Sequence, residues 1–167
     1  MALVVEDGSG ANPAANSFGS ESFIRNYNAA RGRVVSDDDD MLGGQAIQAM
    51  DYIHSLEPNM KGYRSFIDQP LCFPRTGVYI NGILLADDIV PVQIANGQAE
   101  LVYQVGSGVV LMPSFTSPQL KRRKTGPLER EWFQGGAGNV SMPWVDTWLG
   151  MFLINPNPTS SRMLLRV

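Results

Sequence analysis

Apolar residues recur at helical spacing in four stretches of the chain, and each stretch is fenced by a capping or turn residue. The first helix opens after Ser20, a good N-cap, and carries Phe23, Ile24, Tyr27 and Ala30 on one face to about Arg31, where Gly32 ends it. A second begins within Ser36 to Asp40. Its Leu42, Ala46, Ala49, Ile53 and Leu56 form an a/d-type seam, with Pro58 just past the end. Gly43 and Gly44 weaken its first turns by about 1 kcal/mol each relative to Ala. For the third helix Asp88 is the expected cap and Pro91 sits in the first turn. Ile94, Ala95, Ala99, Leu101, Val102 and Val105 supply its buried side. The fourth opens at Pro143, with Val145, Trp148, Leu149 and Phe152 facing a core.

Between the second and third helices, turn signals replace helical ones. Asn81-Gly82 predicts a type I′ hairpin between Val78-Tyr79-Ile80 and Ile83-Leu84-Leu85. Leu71 to Tyr79 reads as a shaped joint that includes Phe73, in which Pro74 stiffens the chain and Gly77 lets it turn. Arg75 of that joint is expected to pair with a carboxylate of its own or a neighbouring protomer. A second extended pair is expected later, where the basic run Lys121-Arg122-Arg123-Lys124 is followed by Gly126-Pro127 and then by alternation from Leu128 to Phe133. Gly135 to Gly138 is a flexible link.

These elements predict a mainly α protein: a small bundle of about four helices over residues 20–154, with a β-hairpin element. An extended N-terminal arm (1–19) and a C-terminal tail (155–167) flank it. The arm contains Asp7-Gly8-Ser9-Gly10-Ala11-Asn12-Pro13, which breaks regular structure and suits a segment that reaches a neighbour. Pro156 and Pro158 stop any helix in the tail, and the apolar end Met163-Leu164-Leu165-Arg166-Val167 reads as a docking peptide on a polar tether. The competing reading is a terminal strand that folds back on its own domain.

Composition narrows the function. A chain of 167 residues suits one domain, and such a chain buries about 70% of its unfolded surface. Charge is low at 17%, and 17 glycines with 11 prolines point to long loops. The net charge of −3 argues against a whole surface that grips nucleic acid, so any such contact must be local. The single cysteine, Cys72, lies between Leu71 and Phe73 and reads as a small buried hydrophobe. No apolar run approaches the roughly 20 residues of a membrane span. Glu6 and Asp7 stand where a secretory leader carries basic residues, so a cytoplasmically made protein is expected.

The candidate chemistry is sparse. Asp37 to Asp40 fit a helix N-terminus better than a metal site, because the Gly and distant Glu of a calcium loop are missing. His54 is the only histidine, its place beside Ile53 and before Leu56 favours a structural or surface role, and no serine sits in a Gly-x-Ser-x-Gly setting. Gly135 to Gly138 lacks the Lys-Ser or Lys-Thr pair of a phosphate loop, and the Asn139-Val140-Ser141 sequon is read as chance. The expectation is a protein that is not an enzyme, with no metal, cofactor or small-molecule substrate. Lys121 to Lys124 with Trp132 and Phe133 combine charge and aromatic rings, the ingredients of single-strand binding. Glu129 and Glu131 would partly neutralise that cluster, so an ion-pair ribbon or an acidic protein partner fits about as well.

Several motifs together resemble the tailed-phage head-tail connector, or adaptor, proteins of the group that carries the label DnaT-like single-stranded DNA-binding protein. They are Met1 to Gly10 with Ala15-Asn16-Ser17-Phe18, Tyr27 to Gly32, Ala46 with Asp51-Tyr52-Ile53, and Phe73-Pro74-Arg75-Thr76-Gly77-Val78. Ile89-Val90-Pro91, Gln98-Ala99-Glu100-Leu101 and Lys121 to Pro127 complete the set. Phe73 stands where relatives usually carry Trp, Gly43-Gly44 sits within a helix, and the tail after Phe152 is longer than in many of them. The resemblance implies a structural virion protein at the head-tail neck, commonly a ring of twelve copies beneath the portal. Its implied partners are the portal protein, further copies of itself, a downstream neck or tail protein and the DNA that passes through. It assigns Met163, Leu164, Leu165, Arg166 and Val167 to the portal. Lys121, Arg122, Arg123, Lys124, Gly126 and Pro127 go to the channel or ring interface. A replication-type single-stranded DNA-binding protein is the alternative.

Overall fold

The computed structural model describes residues 2–10, 12–112, 121–125, 128–132 and 147–154. Three α-helices carry most of its regular structure. Helix α1 (Glu21–Ala29) starts where Ser20 accepts a hydrogen bond from the Phe23 N–H, and Gly32 follows it at φ +67°. Helix α2 (Asp39–Ser55) is capped by Asp38, whose carboxylate accepts from the N–H groups of Asp40 and Met41, so the acidic run is a helix cap. Helix α3 (Val92–Gly106) starts from Pro91, three residues beyond the expected cap Asp88. Pro91 makes no side-chain cap bond; its fixed φ of −61° leads the chain into the helix.

The α2 seam is as the spacing predicts: Leu42, Ala46, Ala49 and Ile53 are fully buried, and Leu56 is half-buried. Helix α3 packs against both α1 and α2, and Ile94, Ala99, Leu101 and Val102 supply its core face. On α1 the partition differs, because Ala30 is exposed and Asn28 is buried. The Asn28 amide donates to the carbonyls of Ile24 and Ala99, which lets a polar residue occupy a helix-helix seam.

The expected helical bundle is not what forms; the fold is a small mixed α/β domain. After a 3₁₀ turn at Glu57–Asn59, residues 60–90, too rich in Gly and Pro for a long helix, use backbone groups in short paired extended segments. Strand β1 (Tyr63–Arg64) pairs antiparallel with β2 (Arg75–Thr76), and β3 (Tyr79–Ile80) with β4 (Ile83–Leu84). The β3–β4 turn has φ of +51° at Asn81 and +81° at Gly82, the values that the Asn-Gly signal requires. At the C-terminal end of the body, residues 147–149 are helical and Gly150–Phe152 form a 3₁₀ turn. Leu149 there packs against α3 at Gly97, where a Cβ would stand 2.8 Å from its Cδ2.

Contacts divide the chain into a body, Met1–Leu111 with Met142–Val167, and a separate unit, Met112–Ser141. The described part of that second unit is an antiparallel ribbon of β5 (Lys121–Thr125) and β6 (Leu128–Trp132).

The described residues 2–10 and 12–19 pack back on their own chain. Val5 bridges Ser17, Ala15 and Phe18 enter the core, and the Glu6 carboxylate accepts from the N–H groups of Gly8 and Gly10, each at 3.0 Å. Gln98 of α3 is the latch. Its Oε1 accepts from the N–H groups of Phe18 (2.9 Å) and Gly19 (3.0 Å), and its Nε2 donates to Ser17 Oγ (2.8 Å) and to the Ala46 carbonyl (3.3 Å). Gln98→Leu keeps the volume but leaves the buried Phe18 N–H unpaired and the Gly19 N–H with only its longer bond to Ser17 Oγ at 3.3 Å. It is expected to cost about 2–4 kcal/mol in urea unfolding and to speed proteolysis within residues 2–19. A loss under about 0.5 kcal/mol would mean that the latch is dispensable.

Candidate functional site

The joint can be examined atom by atom. Phe73 is fully buried, and the Phe73–Pro74 peptide bond is cis. Arg75 is buried to 4% exposure and does pair with a carboxylate, that of Glu57 in its own chain at 3.4 Å. Its guanidinium also donates to the carbonyls of Lys61 (2.8 Å), Gly62 (2.7 Å) and Cys72 (3.3 Å). The fork of donors closes three turns of chain at once, a geometry that a lysine cannot supply. Gly77 sits at φ +72°, in the left-handed region.

Glu57 is the shared anion of this cluster. Arg64 binds it through two 2.6 Å contacts, and that hydrogen bonding holds the Glu57 carboxyl below its ordinary range. Burial pushes the Cys72 thiol up to about 12, so it is protonated and unreactive at neutral pH. Burial lowers the pKa of nearby His54, whose Nε2 has no hydrogen-bond partner. Glu57, Arg64 and Arg75 hold the chain segments of the joint together. Among the described residues, no group of three or more His, Cys, Asp or Glu could hold a metal ion. No helix among them is long and apolar enough to cross a membrane.

Sequence reasoning did not single out Glu57 or a second, partly buried ion pair. In that pair Arg33 reaches Glu100 at 2.7 Å, and the Tyr27 hydroxyl donates to the same carboxylate. Arg31 lies over the Tyr27 ring, 3.5 Å from its centroid. Glu100 falls among apolar α3 positions, and a charged residue at a core phase was the available signal.

The ribbon is the other candidate. Its register sets Lys121 opposite Trp132, Arg122 opposite Glu131, Arg123 opposite Arg130, Lys124 opposite Glu129, and Thr125 opposite Leu128. Five of the chain's 13 basic residues but only two of its 16 acidic ones lie within Met112–Ser141, so this unit carries +3 and the body −6. Gly126 and Pro127 lie outside the described residues, as do Met163 to Val167. The body ends its described course firmly: Leu153 bridges Met60, and Lys61 Nζ donates to the Met151 carbonyl at 2.7 Å.

A family model described as "Putative DnaT-like ssDNA binding protein" matches residues 1–167. The chain belongs to this family. No curated protein and no solved structure matches it. The DnaT-like match covers the body and the ribbon together, so the charge-segregated ribbon lies within the family's matched region.

Proposed function

We propose that this DnaT-like protein binds single-stranded DNA, with the β5–β6 ribbon as its contact. The observation that carries the reading is the segregation of charge, +3 on the ribbon unit against −6 on the body. A polyanion is drawn to the one and repelled by the other, so binding is local and oriented. The family description supports this reading more directly than it supports a head-tail connector. The test is fluorescence anisotropy of a labelled oligothymidylate against the full chain over a salt series. Affinity is expected to fall as salt rises, with a log-log slope of about −0.7 per phosphate neutralised. Absence of binding at about 50 mM salt, or affinity indifferent to salt, would overturn it.

A connector of the phage neck is the second reading, and an apolar surface favours it. Tyr79, Ile83, Leu84 and Ile89 are all exposed in or beside the β3–β4 hairpin, with Ile83 at 74%. Clustered exposed apolar residues suit protein-protein contact rather than DNA. On this reading the chain forms a ring of itself in the virion, docks Met163 to Val167 on the portal, meets a downstream neck or tail protein and touches DNA only in passage. Mixing the protein with portal and imaging the product tests it, beside a sample truncated after Asn155. Lack of a ring, or equal docking by the truncated chain, would remove the reading.

A further inference from the structure

We infer that one face of the ribbon, rather than the basic run as a whole, is the DNA-binding surface. The inference rests on the single-strand reading and adds which residues do the binding. Directly opposed residues of an antiparallel pair share a face, and successive residues of a strand alternate faces. The register therefore puts Lys121, Arg123 and Arg130 on one face with Trp132, and no carboxylate among them. The other face receives Arg122 opposite Glu131 and Lys124 opposite Glu129, two cations matched by two anions. Both acidic residues thus fall on the face that is not proposed to bind.

Three features make the first face suit an unpaired strand. Lys121 and Arg123 are two residues apart on one strand, a separation of about 6.6 Å, and Arg130 lies directly across from Arg123. Like charges directly opposite disfavour a free ribbon, and an intervening phosphate removes that repulsion. Trp132 stands opposite Lys121 at the end of the same face, where an indole can stack on a base that has no pairing partner. A duplex keeps its bases stacked inside and offers the indole nothing comparable.

The experiment compares four full-length proteins by anisotropy with labelled oligothymidylate: wild type, K121Q/R123Q/R130Q, R122Q/K124Q and W132L. Circular dichroism of each establishes that the fold is kept. Removing the three same-face cations is expected to reduce the magnitude of the salt slope by about 2 and to weaken binding a few-hundred-fold at about 50 mM salt. R122Q/K124Q is expected to stay within about threefold of wild type with its slope unchanged. W132L is expected to lose about tenfold in affinity at an unchanged slope. Comparable losses per charge in the triple and double variants would overturn the face assignment while leaving DNA binding intact. Failure of the wild type to bind would overturn the single-strand reading itself, and this assignment with it.

Discussion

Arg75→Met is expected to destabilise the fold by about 3–5 kcal/mol, seen as a fall of roughly 10 °C in Tm and a matching shift in the urea midpoint. The guanidinium is almost fully buried and serves three carbonyls and one carboxylate, from Lys61, Gly62, Cys72 and Glu57. Methionine fills much of its volume but donates nothing, so three carbonyls lose a charged donor in a site that water reaches poorly. Glu57 keeps Arg64, so the carboxylate is not stranded, and the carbonyls carry most of the loss. Arg75→Lys is expected to recover less than half, because an ammonium cannot span the fork. The Glu57 contribution adds a pH dependence. Its folded carboxyl titrates below its ordinary value of 4.5, so this part of the stability is fully present above that value and is lost as pH falls through the lower one. An Arg75→Met protein that melts within about 2 °C of wild type would refute the account of the joint.

Phe73→Ala is the second large effect, at about 3–5 kcal/mol. The ring makes edge-to-face contacts with Phe152 at 5.2 Å and Phe18 at 6.4 Å between centroids. Three distant parts of the chain therefore meet on one side chain: the joint, the segment before α1 and the turn after residue 149. Loss of the ring leaves a cavity that its close-packed neighbours can collapse into only partly. Hydrogen exchange is expected to rise at residues 15–19 and 150–154 as well as around residue 73. Exchange that rises only within residues 57–90 would show that the ring is a local support and not a clasp between the chain's ends.

What could be read from sequence was local. Ser20 and Asp38 announce their helices through a side-chain oxygen two or three residues from the N–H groups it caps, and the α2 seam follows from spacing alone. Asn81-Gly82 specifies its turn because two consecutive positive φ angles suit few other residue pairs. The fold class failed where pairing is non-local: β1 meets β2 across a loop, and Val4 accepts hydrogen bonds from Asn16 and Ser17 where the chain returns parallel to itself. Helical periodicity also treats polar residues as outward, which hides Asn28, Gln98 and Glu100 in the core. At the candidate site, the basic run and its partner strand were visible as composition. Their division into two faces was not, since it depends on a register that a shift of one residue would reverse.

Leu111 is buried in the body, and Leu149 is seated against Gly97, so the chain leaves for the ribbon and returns at two anchored points of the same core. Loop-closure entropy grows only logarithmically, and doubling the length of such an excursion costs about 0.6 kcal/mol. Insertions, deletions and changes of charge in that excursion are therefore nearly free of consequence for folding. Evolution can retune the ribbon as a cassette while the body stays constant, and related chains are expected to vary most in length between these two anchors.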